Sequence, residues 1–482
     1  MTGKGEIFIA YLYIIDYIMS KNKSILKLLA LWTIAVASIS GCKVGPDYQR
    51  PGVYINSDYS QLDAEKGVTN ESTICLASWW DQFNDPTLSA LIQMGVSDNL
   101  SLKQYAARIY QYQAQIGVVR SDMFPAFRES GMYNYNKGPG SESQSWTLST
   151  DMSWELDFFG RLKRLTEAAV ADMEQQNEIY RDAQVILIAE IAQNYVNARL
   201  YEQQIRIAKE NIAIQKHTYD LTVQKQQLGT ASKLDGAQAR GSCAGVESDL
   251  ATYEAQYQKA LNNLSVLTGR TPGSIDQLFA QSAPIPTAPN HLMVGIPAEL
   301  LRNRPDVRAA EQALIAQTSR VGAAIGDLYP KFSLTGSFGI DAMDFATGFE
   351  SGLASSIGPS FQWNIFAFGK YKSNISVQEF RQTEYVLSYQ NTVLNAAKEV
   401  DDAIVVYVNE KERLEKLNEA VVAYDEALQL AQQRYSDGTA DFQRVLDTQS
   451  NKLRYDLQQV QCQANLVNSV IALYKALGGG EQ

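Results

Sequence analysis

The chain is poor in the residues that carry out chemistry. Histidine occurs twice in 482 residues, at His217 and His291, and neither sits in an HExxH arrangement. No Gly-rich phosphate loop ending in Lys-Ser or Lys-Thr occurs, and no cysteines pair at zinc spacing. Metalloprotease, nucleotide-hydrolase and zinc-module readings therefore have nothing to rest on, and the chain reads as a non-enzyme without cofactor or metal. Lysine and arginine number 42 against 53 aspartates and glutamates, for a formal charge of -11. A nucleic-acid partner needs a basic face, so that class is excluded as well. Four cysteines are too few for a disulfide framework; Cys75, Cys243 and Cys462 read as structural thiols. Proline and glycine are missing from two long stretches, Arg161 to Leu228 and Lys370 to Tyr435.

What those stretches hold is Ala, Gln, Glu, Leu and Ile, all compatible with helix. Unbroken, each would extend roughly 100 Å at about 1.5 Å per residue. Leu187, Ile191 and Tyr195, then Ile205, Ala208 and Ile212, recur at three- and four-residue spacing and make an apolar stripe. Helices of this length cannot be enclosed in a globule, so they pack side by side.

At the N-terminus, Lys21 and Lys23 precede an apolar run from Ile25 to Ile39, and small residues lead to Cys42. That is a secretory signal layout with a cysteine at the cleavage point, and it places translation initiation at Met19. Cys42 is the expected site of covalent lipid; the rival is an uncleaved anchor with an incidental thiol. Lys43, in place of an aspartate, favours the outer membrane.

Two halves of the chain resemble each other. DMFPAF (Asp122 to Phe127) and DLYPKF (Asp327 to Phe332) each precede alternating stretches, which end in WELDFFGR and WNIFAFGK. A long helical stretch follows each, then a glycine turn, LGTAS or DGTAD, and another helix. In QSWTLSTDMSWELD, Trp146, Leu148, Met152, Trp154 and Leu156 share one parity, and Ser145, Ser149, Asp151, Ser153, Glu155 and Asp157 the other. KFSLTGSFGI alternates through Phe332, Leu334, Phe338 and Ile340, and IGPSFQWNIF through Ile357, Phe361, Trp363 and Ile365. FRESGMYNYN is the weakest of the four.

About ten residues with one oily and one wet face suit outer-membrane barrel strands; soluble hairpins on a core are the alternative. Four strands cannot close a barrel, because about eight are needed. A homo-oligomer follows from that count.

CKVGPDYQRP, WWDQFNDPTLSALI, the run from GIPAELLRNRPDVRAAEQ to KFSLTGSFG, and RYSDGTADFQRVLDTQSN occur in this order. With these motifs the chain resembles the TolC-like outer-membrane efflux proteins, and within them the lipoprotein branch that includes OprM, CusC and NodT. The resemblance implies a mainly α fold with a β-barrel portion, in which four strands per chain build a trimeric twelve-stranded barrel. It implies an exit duct for drugs, metals or other toxic solutes, with a periplasmic adaptor and an inner-membrane RND transporter as partners. A type I secretion duct, or a non-conducting coiled-coil scaffold lipoprotein, is the alternative.

The expected organisation is a signal peptide over 1–41, a lipid-anchored segment over 42–84 and a first repeat over 85–275. A linker over 276–296, a second repeat over 297–478 and a tail over 479–482 complete it. The resemblance also places a periplasmic gate at the second glycine turn, at Tyr435, Asp437, Asp441, Arg444 and Asp447. Ala440 and Arg444 depart from the TolC pattern there, which has an arginine and an aspartate at those positions. The plainer reading of the same residues is capping and solvation of a helix turn.

Overall fold

The computed structural model describes residues 43–53, 68–69, 76–289, 292–293, 302–342 and 353–480. Cys42, Cys75, His291 and the N-terminal apolar run lie outside them. Among the described residues the longer elements are α1 (Pro86–Asp98), α2 (Leu100–Ser121), β1 (Ala126–Gly138), β2 (Ser141–Leu156), α3 (Arg161–Gln227) and α4 (Lys233–Leu267). Then come α5 (Pro305–Gly326), β3 (Lys331–Ala342), β4 (Leu353–Gln362), α6 (Lys370–Ser436) and α7 (Phe442–Ala476). The order helix, hairpin, long helix, shorter helix thus occurs twice. The long helices α3 and α6 are 67 residues each, and α4 and α7 are 35 residues each. Contacts divide the chain into two compact units, and each unit draws on both halves of the sequence.

The first unit contains the described parts of Met1–Gln49, Tyr112–Met173 and Ala313–Tyr385. Its centre is one antiparallel sheet in the order β1-β2-β3-β4. β1 and β2 form a hairpin in which Ala126 pairs with Ser153 and Gly138 with Ser141. β2 pairs with β3 from Trp146 opposite Ala342 to Leu156 opposite Phe332, so the two halves meet inside one sheet. β3 pairs with β4 from Lys331 opposite Gln362 to Ile340 opposite Leu353.

The alternating pattern predicts strand through Ile365, yet β4 ends at Gln362. Trp363, just beyond the ladder, donates its indole N–H to the Leu328 carbonyl at 3.1 Å. Trp154 makes the corresponding bond to the Met123 carbonyl at 2.9 Å. β1, the weakest strand from sequence, is 13 residues long.

The second unit contains the described parts of Arg50–Gln111, Glu174–Gln312 and Val386–Gln482. Asp85 starts α1 with its carboxylate on the backbone N–H groups of Thr87 and Leu88, and Pro86 fills the first helical position, where no N–H is needed. The expected apolar stripe is buried: Leu187, Ile191 and Tyr195 join Trp79, Leu88, Val467 and Tyr474 in the main core. Trp79 stacks on Tyr474 with ring centres 5.2 Å apart. Truncating such a side chain to alanine costs about 3 to 5 kcal/mol. The long helices pack as antiparallel pairs, as their length requires. Lys216 bridges to Glu247 between α3 and α4 at 2.9 Å, and Lys452 to Asp425 between α7 and α6 at 3.3 Å. Cys243 and Cys462 are buried free thiols, in keeping with a structural role.

Candidate functional site

In the sheet, side chains of directly paired residues share a face, so the register sorts them. One face carries Phe127, Tyr133 and Tyr135 from β1, and Trp146, Leu148, Met152, Trp154 and Leu156 from β2. It continues with Phe332, Leu334, Phe338 and Ile340 from β3, and Ile357 and Phe361 from β4. Glu129, Lys137, Glu142, Gln144, Thr150 and Ser355 are its polar exceptions. The other face carries Asn134, Ser145, Ser149, Asp151, Ser153, Ser333, Thr335, Ser337, Ser356 and Ser360. Serine pairs bond across it, Ser130 with Ser149 at 2.9 Å and Ser337 with Ser356 at 2.8 Å.

Exposure decides what the oily face is for. Phe127 and Phe361 are each 70% exposed and Ile357 is 74% exposed, so no core of this chain covers them. A contiguous uncovered apolar face of this size needs lipid or another chain. Among the described residues no helix is long and apolar enough to cross a membrane.

The peptide that follows Cys42 is docked at the foot of this sheet. Lys43 reaches Glu167 at 3.1 Å and Asp47 at 3.2 Å, and the Val44 amide donates to the Phe159 carbonyl. Arg164, almost wholly buried, donates to the carbonyls of Val44 and Gly45 and pairs with Asp47 at 3.1 Å. Hydrogen bonds from Lys43 and Arg164 hold the Asp47 carboxyl below its ordinary range. Cys42 is one peptide unit from this fixed point.

In the second unit, the two glycine turns end helices α3 and α6. Gly229 and Gly438 both have φ of 75°, a backbone conformation that costs any side chain strain. Of the five gate candidates, Tyr435 is buried against Ala239, Phe442 and Val445. Lys225 from α3 donates to the Tyr435 carbonyl, and its ammonium lies 4.2 Å from the Tyr435 ring centre. Its charge thus sits at the negative end of α6, where it satisfies carbonyls the helix leaves open. Asp437, Asp441, Arg444 and Asp447 are all exposed.

Asp441 occupies the N-cap position of α7 without a side-chain capping bond, and Asp447 accepts from Gln443 at 2.8 Å. Among the described residues no ion pair joins Arg444 to these carboxylates. The five residues are thereby split into one packed ring and four solvent-facing charges. Lys225 escaped sequence reasoning because its contact is 210 positions away.

A second charged group was also illegible. Arg304, 7% exposed, grips Asp306 with two nitrogens at 3.0 and 2.8 Å, Glu399 at 2.8 Å, and the Ala476 carbonyl at 2.6 Å. Burial opposes its charge, but those carboxylates outweigh burial and raise its pKa. Burial, with Asp306 nearby, pushes Asp182 up to about 6. Arg199 lies between the rings of Tyr195 and Phe279, 5.2 and 4.8 Å from their centres, and pairs with Glu202 at 2.8 Å.

A sheet oily on one side and hydroxyl-lined on the other, with long paired helices in the same chain, defines a class: outer-membrane proteins that join a membrane-facing sheet to long helices. The family model described as "Outer membrane efflux protein" matches residues 91–270 and 296–479. The chain belongs to the outer membrane efflux protein family. It is 29% identical over 454 residues to the cation efflux system protein CusC of an Escherichia coli strain, covering 92% of this chain and 97% of that one. It is 28% identical over 470 residues to the toluene efflux pump outer membrane protein TtgC of Pseudomonas putida, covering 94% and 96%. Its fold matches the solved outer-membrane channel OprN with a TM-score of 0.83 and 32% identity, covering 91% of this chain and 99% of that one. The protein is thus an outer-membrane efflux channel.

Proposed function

We propose that three copies close a twelve-stranded barrel and act as the gated exit duct of a tripartite pump, receiving solute from an inner-membrane RND transporter through a periplasmic adaptor. The observation that carries this is the four-stranded sheet with one oily face, one hydroxyl face and two unpaired edges. Four strands from each of three chains exceed the minimum for closure and turn the serine-rich face toward water.

The duct passes solute unchanged and takes no cofactor beyond covalent lipid on Cys42. Docking of Lys43 at the sheet foot supports that anchor, because an acyl chain on the preceding residue starts beside membrane-facing side chains. Relatives are named for cations and for toluene, so one duct design serves unlike solutes and the pump makes the choice.

The gate reading rests on Asp437, Asp441, Arg444 and Asp447, four exposed charges at one turn. Arg444 of one copy pairs with carboxylates of the next in the closed state, each charge-assisted bond contributing about 1.5 to 3 kcal/mol where shielded. Purified protein added to planar bilayers should give stable steps of ion current. Asp441→Asn with Asp447→Asn should raise the conductance of each step. Correctly folded trimers that pass no current would sink the duct in favour of a scaffold, and unchanged steps in the double variant would remove the gate.

A further inference from the structure

In the second unit α3 carries a stripe of buried polar residues, Gln204, Asn211, Gln215, Thr218 and Thr222. Buried polar side chains in folded proteins are bonded, so each member of the stripe has a partner to be found. Thr222, wholly buried, lies 3.4 Å from the Tyr435 hydroxyl of α6, and Thr218 accepts from the Gln449 amide of α7 at 2.9 Å. One turn further from the glycine turn, Gln215 is 3% exposed and donates its amide to Asn211 of its own helix at 2.8 Å. Its Oε1 has no hydrogen-bond partner among the described residues. The seam between α3 and its neighbours is thus satisfied where the helices touch, and it leaves one buried acceptor open where they part.

What parts them is a cavity of about 460 Å³, to which α3, α4, α6 and α7 all contribute. Gln204, Gln215 and Val246 are its buried walls, and Leu453 and Leu457 add half-buried apolar surface. Arg413 and Arg454, both exposed, form its rim. Arg413 pairs with Glu410 at 3.2 Å. Arg454 donates to Asn451 at 2.8 Å and lies 4.9 Å from the Tyr455 ring centre, and among the described residues no carboxylate neutralises it. None of the lining residues is acidic, in a chain whose formal charge is -11. Apolar walls with a few convergent polar groups, at a volume that admits a small molecule, are the marks of a binding pocket.

We infer that this cavity binds a small organic anion that also carries a hydroxyl, one molecule per chain. The anionic group pairs with Arg454 and Arg413 at the rim, the apolar body lies on Val246, Leu453 and Leu457, and the hydroxyl donates to Gln215 Oε1. Two guanidinium groups, charged at every working pH, oppose an organic cation. An anion without a donor enters less readily, because it leaves the buried acceptor unpaired. Binding here needs neither the barrel nor the gate, so its failure leaves the duct standing.

Isothermal titration calorimetry on purified full-length protein tests the site with three probes of one shape. These are 4-hydroxycinnamate, cinnamate, which lacks the hydroxyl, and 4-hydroxycinnamide, which lacks the charge. 4-Hydroxycinnamate should bind saturably, about fivefold tighter than cinnamate and at least about tenfold tighter than the amide. Arg454→Gln should weaken it about tenfold. Lys209→Gln removes an exposed cation of α3 outside the lining and should leave it unchanged. Gln215→Leu should bind 4-hydroxycinnamate and cinnamate equally, with cinnamate keeping its affinity, which also shows that the variant is folded.

No saturable heat from any probe leaves only water in the cavity and overturns the site. Equal affinity for the amide, or equal losses from Arg454→Gln and Lys209→Gln, overturns the anionic class. A preference for the hydroxyl that survives Gln215→Leu overturns the role of Gln215.

Discussion

Tyr435 faces into the helix cluster with Lys225 holding the carbonyls beside it, so it stabilises the turn from within one chain. Lys225→Met keeps the stem and removes the ammonium. Losing a charged donor to helix-end carbonyls and a contact with an aromatic face lowers local stability by about 1 to 2 kcal/mol. The turn over 437–441 should then be cleaved by protease about tenfold faster, while far-UV circular dichroism stays the same.

Asp182 gives a pH dependence of definite sign. Its folded pKa of about 6 exceeds the ordinary carboxyl value, so the folded chain holds a proton that the unfolded chain releases. Asp182 therefore costs stability above pH 6, and the cost is relieved as pH falls from 6 toward 4. Asp182→Asn should raise stability at pH 7.5 by an amount on the order of 1 to 2 kcal/mol after solvent screening, and by almost nothing at pH 4. Urea melts at the two pH values check it; an equal gain at both would contradict the burial cause.

At the scale of elements, the two faces of the sheet respond oppositely to charge. Leu148 lies mid-strand on the oily face and Ser149 beside it on the hydroxyl face. Leu148→Arg should cost about 2 to 4 kcal/mol and deplete assembled protein from the outer membrane. Ser149→Arg should assemble normally and change single-channel current.

Those faces were legible in the sequence because strand alternation is local: Trp146 to Leu156 announces its own parity without knowing its neighbours. The long helices were legible for the same reason, since an uninterrupted run free of proline and glycine admits little else. β1 was faint because Glu129 and Gly131 interrupt its oily parity, and pairing with β2 completes it. What stayed hidden depends on contacts between distant positions. Arg304 meets Glu399 95 positions on, and no local pattern marks Arg304 as buried or Glu399 as its partner. The gate residues were legible as a turn with charges. Which of them turns inward depended on Lys225, on another helix.

For the whole molecule, anchoring and assembly separate. Cys42→Ala should abolish fatty-acid labelling while purified protein retains its current, because the sheet already supplies a membrane-facing surface. Labelling that persists would place the lipid elsewhere.

The matched lengths of α3 with α6 and of α4 with α7 carry a further consequence. Each residue advances a helix by about 1.5 Å and turns it by about 100°, so one inserted residue would rotate every later stripe residue away from its neighbour. Only additions of about seven residues, made in both members of a pair and in both halves, keep stripes facing and turns level. Reach along the helices is therefore a quantised dimension, and a mate of different depth would have to be met in steps of roughly 10 Å.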